Sequence, residues 1–108
     1  MGILKEAGET IMKYGEIIIL KTEELARIAK LNIDIKKLQL DIGIAEKEIG
    51  RYILKKIQNG STSVDLTEAE LTNLSERVNT LKAQIQAKRD EIEKVKSASN
   101  AKNSDSVK

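Results

Sequence analysis

The stretch that decides the fold is residues 67–95, TEAELTNLSERVNTLKAQIQAKRDEIEKV. Its apolar residues recur at alternating steps of three and four, which is typical of a coiled-coil helix over about four heptads. The seam they form consists of Leu71, Leu74, Val78, Leu81, Ile85, Ile92 and Val95. Lys88 interrupts this seam and has two interpretations. Its long stem could carry the ammonium group out to solvent, or it could meet an acidic residue across the interface and fix the register.

The residues before this stretch predict where the second helix begins. Thr67-Glu68-Ala69-Glu70 fits a capping box, in which the Thr67 hydroxyl accepts the Glu70 amide. Leu66 and Leu71 have the spacing of a hydrophobic staple. Further upstream, Asn59-Gly60 fits a helix C-cap with glycine in the left-handed conformation. The sequence therefore predicts a turn over residues 59–66 and a second helix over about 67–96.

The first helix is predicted over about residues 3–58, and its C-terminal half has a matching seam. That seam consists of Ile28, Leu31, Ile35, Leu38, Ile42, Ala45, Ile49 and Tyr52. At 1.5 Å per residue the two arms would measure about 84 Å and about 45 Å. These lengths predict an all-α antiparallel helical hairpin, a coiled coil whose first helix overhangs, in residues 1–96. The polar residues 97–108 lack periodicity and are expected to be a disordered tail.

The overhang predicts self-association, because its apolar residues need a partner from outside the hairpin. Its apolar spacing changes register at a three-residue step from Ile28 to Leu31. A second apolar row follows Met12, Ile19, Ala26, Ile33 and Leu40, with Ile44 nearby. We predict a homo-oligomer, a dimer or tetramer, in which two overhangs overlap over residues 3–26. The predicted interface comprises Leu4, Ile11, Tyr14, Ile18, Ile19, Leu25, Ile33 and Leu40.

Glycine spacing supports close packing of another helix. Gly8, Gly15, Gly43 and Gly50 share one position of a seven-residue repeat. Each glycine costs about 0.8–1.0 kcal/mol relative to alanine in a helix interior. The four are therefore candidate close-packing positions, or else weak points that a long helix tolerates.

The composition argues against most other functions. The chain has no His and no Cys, so the usual general base, thiol nucleophile and zinc ligands are missing. We expect no enzyme activity, metal or cofactor. The net charge of +2 is spread along the chain, which makes nucleic-acid binding a distant possibility. Residues 3–20 leave open a membrane-surface adaptor, and a protein partner is also open.

Several segments resemble a group of small bacterial proteins. The matching residues are Ala29-Lys30-Leu31-Asn32-Ile33-Asp34-Ile35, Glu48-Ile49-Gly50-Arg51-Tyr52, the Asn59-Gly60 turn, and Gly2-Ile3-Leu4-Lys5 running into Gly8 and Gly15. Those proteins have an N-terminal helical hairpin and often a C-terminal zinc ribbon. The resemblance implies a cytoplasmic bacterial protein without an assigned biochemical activity. Since this chain has no cysteine, the zinc ribbon is absent here.

Overall fold

The computed structural model describes the backbone of residues 10–13 and 16–107 and the side chains of residues 20–99. Two short strands, β1 (Thr10–Lys13) and β2 (Glu16–Ile19), precede two helices, α1 (Thr22–Gln58) and α2 (Ala69–Val107). The helices are long and pack antiparallel. The predicted all-α helical hairpin is therefore confirmed, with a two-stranded ribbon added before it.

The strands overturn the predicted overhanging helix. β1 and β2 pair antiparallel, with Thr10 opposite Ile19 and Lys13 opposite Glu16. A run of isoleucines, residues 17–19, favours a strand because branching at Cβ restricts the side chain in a helix. A helix beginning near residue 3 is therefore wrong for residues 10–13 and 16–19. The rest of that prediction before residue 16 lies outside the described residues.

Helix α1 begins where a glutamate can cap it. The Glu24 carboxylate accepts the backbone N–H of Lys21 at 3.1 Å, which is one half of a capping box. The first helical bond runs from the Leu25 N–H to the Lys21 carbonyl at 3.0 Å. With this start, α1 has 37 residues, and α2 has 39. The two arms are nearly equal in length, so the predicted length mismatch is also wrong.

The end of α1 confirms the predicted glycine cap. Gly60 has a φ of 87°, a left-handed conformation that only glycine adopts without strain. The Ser61 N–H bonds to the Lys56 carbonyl and the Gly60 N–H to the Ile57 carbonyl, each at 3.0 Å. These two bonds form a Schellman motif, which satisfies carbonyls left open at the helix end.

The start of α2 differs from the predicted capping box. The Thr67 hydroxyl donates to the Asp65 carboxylate at 2.6 Å. Helix α2 begins at Ala69, two residues later, so Thr67 is not its N-cap. The Thr67 N–H bonds to the same carboxylate oxygen at 2.9 Å, which makes an Asx turn. The predicted staple is also wrong, because Leu66 is 77% exposed while Leu71 is buried. Asp65 therefore organises the entry into α2.

This turn predicts a pH dependence. Hydrogen bonds from the Thr67 hydroxyl and then its N–H lower the pKa of Asp65. Because the pKa is lower in the folded state, the carboxylate stabilises the fold above its unfolded pKa, and this is lost as the pH falls through the folded pKa. We expect Asp65→Ala to lower the melting temperature at neutral pH and to leave it unchanged near about pH 2. Melts followed by circular dichroism would show this, with Ser63→Ala as the control. Equal destabilisation at both pH values would contradict it.

The chain divides into two compact units, each containing a part of both helices. One unit is Ile35–Gln86, and the other combines Met1–Asp34 with Ala87–Lys108. The core of the first consists of Ile35, Ala45, Leu71, Leu74, Val78 and Ile85, all buried. The core of the second includes Leu20, Ile28, Leu31, Ile92 and Val95. The seam predicted for α2 is thus confirmed in each unit.

In the unit that combines Met1–Asp34 with Ala87–Lys108, a hydrogen-bonded polar pair, Ser99 and Glu24, extends the buried seam. Ser99, four residues beyond Val95, is 2% exposed, and its hydroxyl donates to the Glu24 carboxylate. Glu24 lies four residues before Ile28, so one heptad frame runs through α1 from its first turn. The predicted register change at Ile28 to Leu31 is therefore wrong. Helix α2 also continues to Val107, which overturns the predicted disorder of residues 97–107.

Removing the Glu24 carboxylate should destabilise the hairpin. Glu24→Ala would leave the buried Ser99 hydroxyl without its partner and the Lys21 N–H without its cap. An unsatisfied buried polar group costs about 1–3 kcal/mol, and we expect a loss of that size. Ser99→Ala should cost less, because it removes the buried hydroxyl itself. Chemical denaturation would measure both, with Glu23→Ala as a control for first-turn charge. A loss in Glu23→Ala as large as in Glu24→Ala would contradict this assignment.

The two interpretations of Lys88 are also resolved. Its ammonium Nζ lies 3.5 Å from Oδ2 of Asp34 on the opposite helix. Lys88 therefore meets an acidic residue across the interface. Arg27 and Glu91 form a second such pair at 2.7 Å. Both pairs are compatible with a single antiparallel alignment of the helices within this unit.

Candidate interaction surface

Within residues 20–99, the large aliphatic side chains that are exposed lie on α1 and on the loop between the helices. On α1 within residues 35–86, Leu40 is 70% exposed, Ile57 60%, Leu54 52% and Ile44 50%. Ile33, in the other unit, is also exposed. Among the side chains described on α2, no Leu, Ile or Val is exposed. The apolar surface of the hairpin is therefore asymmetric.

Three of these residues, Leu40, Leu54 and Ile57, belong to a second heptad pattern on α1. Leu40, Gly43, Lys47, Gly50, Leu54 and Ile57 follow one another at alternating steps of three and four, and we call this set the outer seam. Side chains at this spacing share one face of a helix. The buried seam of the same segment, which includes Ile35 and Ala45, lies on a different face. Helix α1 thus has one seam for α2 and another with no partner among the described residues.

The glycines of the outer seam have no steric role within the hairpin. Beyond the adjoining residues and backbone of its own helix, a Cβ added at Gly43 or Gly50 would meet nothing within 4 Å. Neither has the positive φ that favours glycine at Gly60. Since glycine is unfavourable inside a helix, the intramolecular contacts give no reason for either residue.

Charged side chains flank the outer seam unevenly. One flank carries Lys37, Ile44, Arg51 and Gln58, and the other carries Gln39, Glu46 and Ile53. Lys47 lies in the seam itself. The surface is therefore apolar with a basic bias, and its acidic flank residue is separated from the basic ones by the seam.

The predicted interface residues are only partly brought together. Ile33 and Leu40 are exposed as expected, whereas Leu25 is half-buried. Ile11, Ile18 and Ile19 belong to the strands, so a helical row through them is wrong. Leu4, Tyr14, Gly8 and Gly15 lie outside the described residues. The predicted interface did not include Leu54 and Ile57. Their spacing from Gly43 and Gly50 places them on the same helix face as these glycines.

Two surface grooves are weaker candidates for a binding site than the outer seam. One, of about 340 Å³, is lined by Glu48, Arg51, Tyr52, Lys55 and Glu70. The other, of about 500 Å³, includes the Arg27–Glu91 ion pair among its lining residues. Charged side chains make up most of both linings. Among the described residues, no group of three or more acidic side chains could hold a metal ion.

None of the described helices has an apolar stretch long enough to span a bilayer. Comparisons with protein-family models, curated proteins and solved structures find no match to this chain. The resemblance to bacterial hairpin proteins therefore stays a prediction. The outer seam of α1 is the surface from which a function can be inferred.

Proposed function

We propose that this protein is a non-enzymatic structural and interaction module that self-associates through the outer seam of α1. The observation that carries the proposal is the row of exposed aliphatic side chains on a face that α2 does not cover. The resemblance to bacterial hairpin proteins supports assigning the module to a bacterial cytoplasm. This proposal replaces the overlap of N-terminal helices with an interface on α1 itself.

The size of the apolar row suits a reversible homo-oligomer. Fully burying a Leu or Ile contributes about 1.5–3 kcal/mol. Leu40, Ile44, Leu54 and Ile57 are each at least half exposed, so two copies together would gain about 6–12 kcal/mol. Association itself costs about 4–15 kcal/mol. The gain and the cost are comparable, which favours a dimer of moderate affinity.

Analytical ultracentrifugation over a dilution series tests the proposal. We expect the native chain to be associated at tens of micromolar and to dissociate on dilution. Circular dichroism at the same concentrations would follow the helix content. A helical protein that remains monomeric at tens of micromolar would refute self-association.

A second candidate is a peripheral adaptor at a membrane surface. The predicted lipid-binding helix over residues 3–20 is wrong where the strands lie, but Lys37, Lys47 and Arg51 accompany the aliphatic row of α1. Basic and apolar residues together favour an anionic lipid surface. Co-sedimentation with phosphatidylglycerol vesicles, compared with phosphatidylcholine vesicles, tests this candidate. Equal or absent binding to the two would refute it.

A further inference from the structure

We infer that two copies pack their outer seams antiparallel about a twofold axis near residues 48 and 49. In this register Leu40 meets Ile57 of the second copy, and Leu54 meets its Gly43. The inference rests on the proposed self-association and adds its register. It is argued from side-chain size and from charge, which select the same alignment.

Side-chain size favours the antiparallel direction. In the inferred register Leu54 projects toward Gly43 of the second copy, and Lys47 toward its Gly50. Each glycine therefore receives a large side chain, and beyond the adjoining residues and backbone of its own helix nothing lies within 4 Å of the place a Cβ would take. The six layers of the seam then each contain at least one large side chain. This gives the two glycines a packing role that the isolated hairpin lacks.

In a parallel pair of α1 helices the residues of the outer seam would pack less favourably. Each residue would then meet its own counterpart, so Lys47 would face Lys47 and the glycine layers would hold no side chains. Glu46 would come near Arg51 of the second copy, but an exposed pair of that kind contributes little. The repulsion of two lysines within an apolar seam disfavours this direction.

Charge then selects among antiparallel registers. In an antiparallel pair each flank faces the same flank of the other helix. The inferred register places Lys37 opposite Gln58, and Ile44 opposite Arg51, of the second copy. On the other flank, Glu46 lies opposite Ile53. No pair of like charges therefore meets on either flank.

Shifting the alignment by one heptad in either direction creates like-charge contacts. A shift that lengthens the overlap between the two α1 helices puts Lys37 opposite Arg51 of the second copy. It also puts Glu46 opposite Glu46 of the second copy. A shift that decreases it puts Arg51 opposite Arg51 and removes the contact between Leu40 and Ile57. Like charges facing each other suppress a wrong alignment.

Cross-linking tests the register, because the native chain has no cysteine. Full-length Lys37→Cys and Gln58→Cys chains would be prepared separately, mixed, and treated with a short bis-maleimide. Both sites are exposed and lie outside the seam. We expect a covalent dimer from the mixture and none from either variant alone. Within one helix the two positions are about 31 Å apart, too far for an internal link.

The outcomes separate the register from the function. A covalent dimer from Lys37→Cys alone would overturn the antiparallel direction in favour of a parallel one. A covalent dimer from Lys37→Cys mixed with Arg51→Cys, without one from the first mixture, would overturn the register. In both cases sedimentation would still show association. Monomeric variants, together with a monomeric native chain, would overturn the register and the proposed function together.

Discussion

Replacing Leu40 and Leu54 together with aspartate is expected to convert the protein to a monomer where the native chain is associated. Both side chains are more than half exposed in the hairpin, so the substitutions leave its core untouched. In the proposed interface they would bury four carboxylates without partners. Truncating a hot-spot side chain near the centre of an interface costs about 2 kcal/mol or more, and two such positions change here, so we expect association at least about a hundredfold weaker. Sedimentation velocity would measure the change.

A matched variant isolates the role of the outer seam. Thr80→Asp with Ala83→Asp makes the same change in net charge at two exposed positions on α2. We expect this variant to associate like the native chain. Both variants should keep the native helix content by circular dichroism. Similar weakening in both variants would show that overall charge, and not the outer seam, controls association.

The parts of the fold that follow from local chemistry were predictable from the sequence. The α2 seam from Leu71 to Val95 is buried, with Leu81 and Lys88 half-buried, because its three-four spacing places every member on one helix face. Gly60 could be assigned because the left-handed conformation is strained for other residues. In both cases a single local preference agrees with the tertiary structure.

The errors arose where two local preferences compete. The apolar residues at 11, 18 and 19 fit a helical row, but the β-branched run at 17–19 also favours a strand, and the strand is formed. Thr67 fits an N-cap, yet Asp65 provides a stronger acceptor two residues earlier. Residues 97–107 look polar, but the bond between Ser99 and Glu24 comes from the opposite helix. Such long-range partners are not visible in a local pattern.

Only part of the exposed aliphatic row on α1 could be predicted from the sequence, because the seven-residue spacing is interrupted along the helix. Ile33 and Leu40 could be recognised because they repeat at seven residues from Ala26. Lys47 interrupts that repeat before it reaches Leu54, and Ile57 lies in a neighbouring row whose earlier members are Gly43 and Gly50. The exposure of Leu54 and Ile57 in the structure shows that α2 does not cover them. The open surroundings of Gly43 and Gly50 are likewise a property of the tertiary structure and not of the local sequence pattern.

Replacing Gly43 and Gly50 together with alanine should have opposite effects on the monomer and on the dimer. Within the hairpin the added methyl groups meet nothing within 4 Å beyond the adjoining residues and backbone of their own helix. Alanine is more favourable than glycine in a helix by about 0.8–1.0 kcal/mol for each residue. In the Leu40→Asp, Leu54→Asp background, which isolates the monomer, we expect unfolding to require about 2 kcal/mol more. Chemical denaturation would measure this gain.

In the otherwise native chain the same two alanines should weaken association. Their methyl groups would fill the space that Leu54 and Lys47 of the second copy need, and overpacking of a close contact typically costs about 1–3 kcal/mol. We therefore expect a dissociation constant raised by about tenfold or more, although each hairpin is more stable. Stability and association would move in opposite directions only if the glycines receive the second copy. Association that strengthens or stays unchanged would show that another face of the hairpin forms the contact.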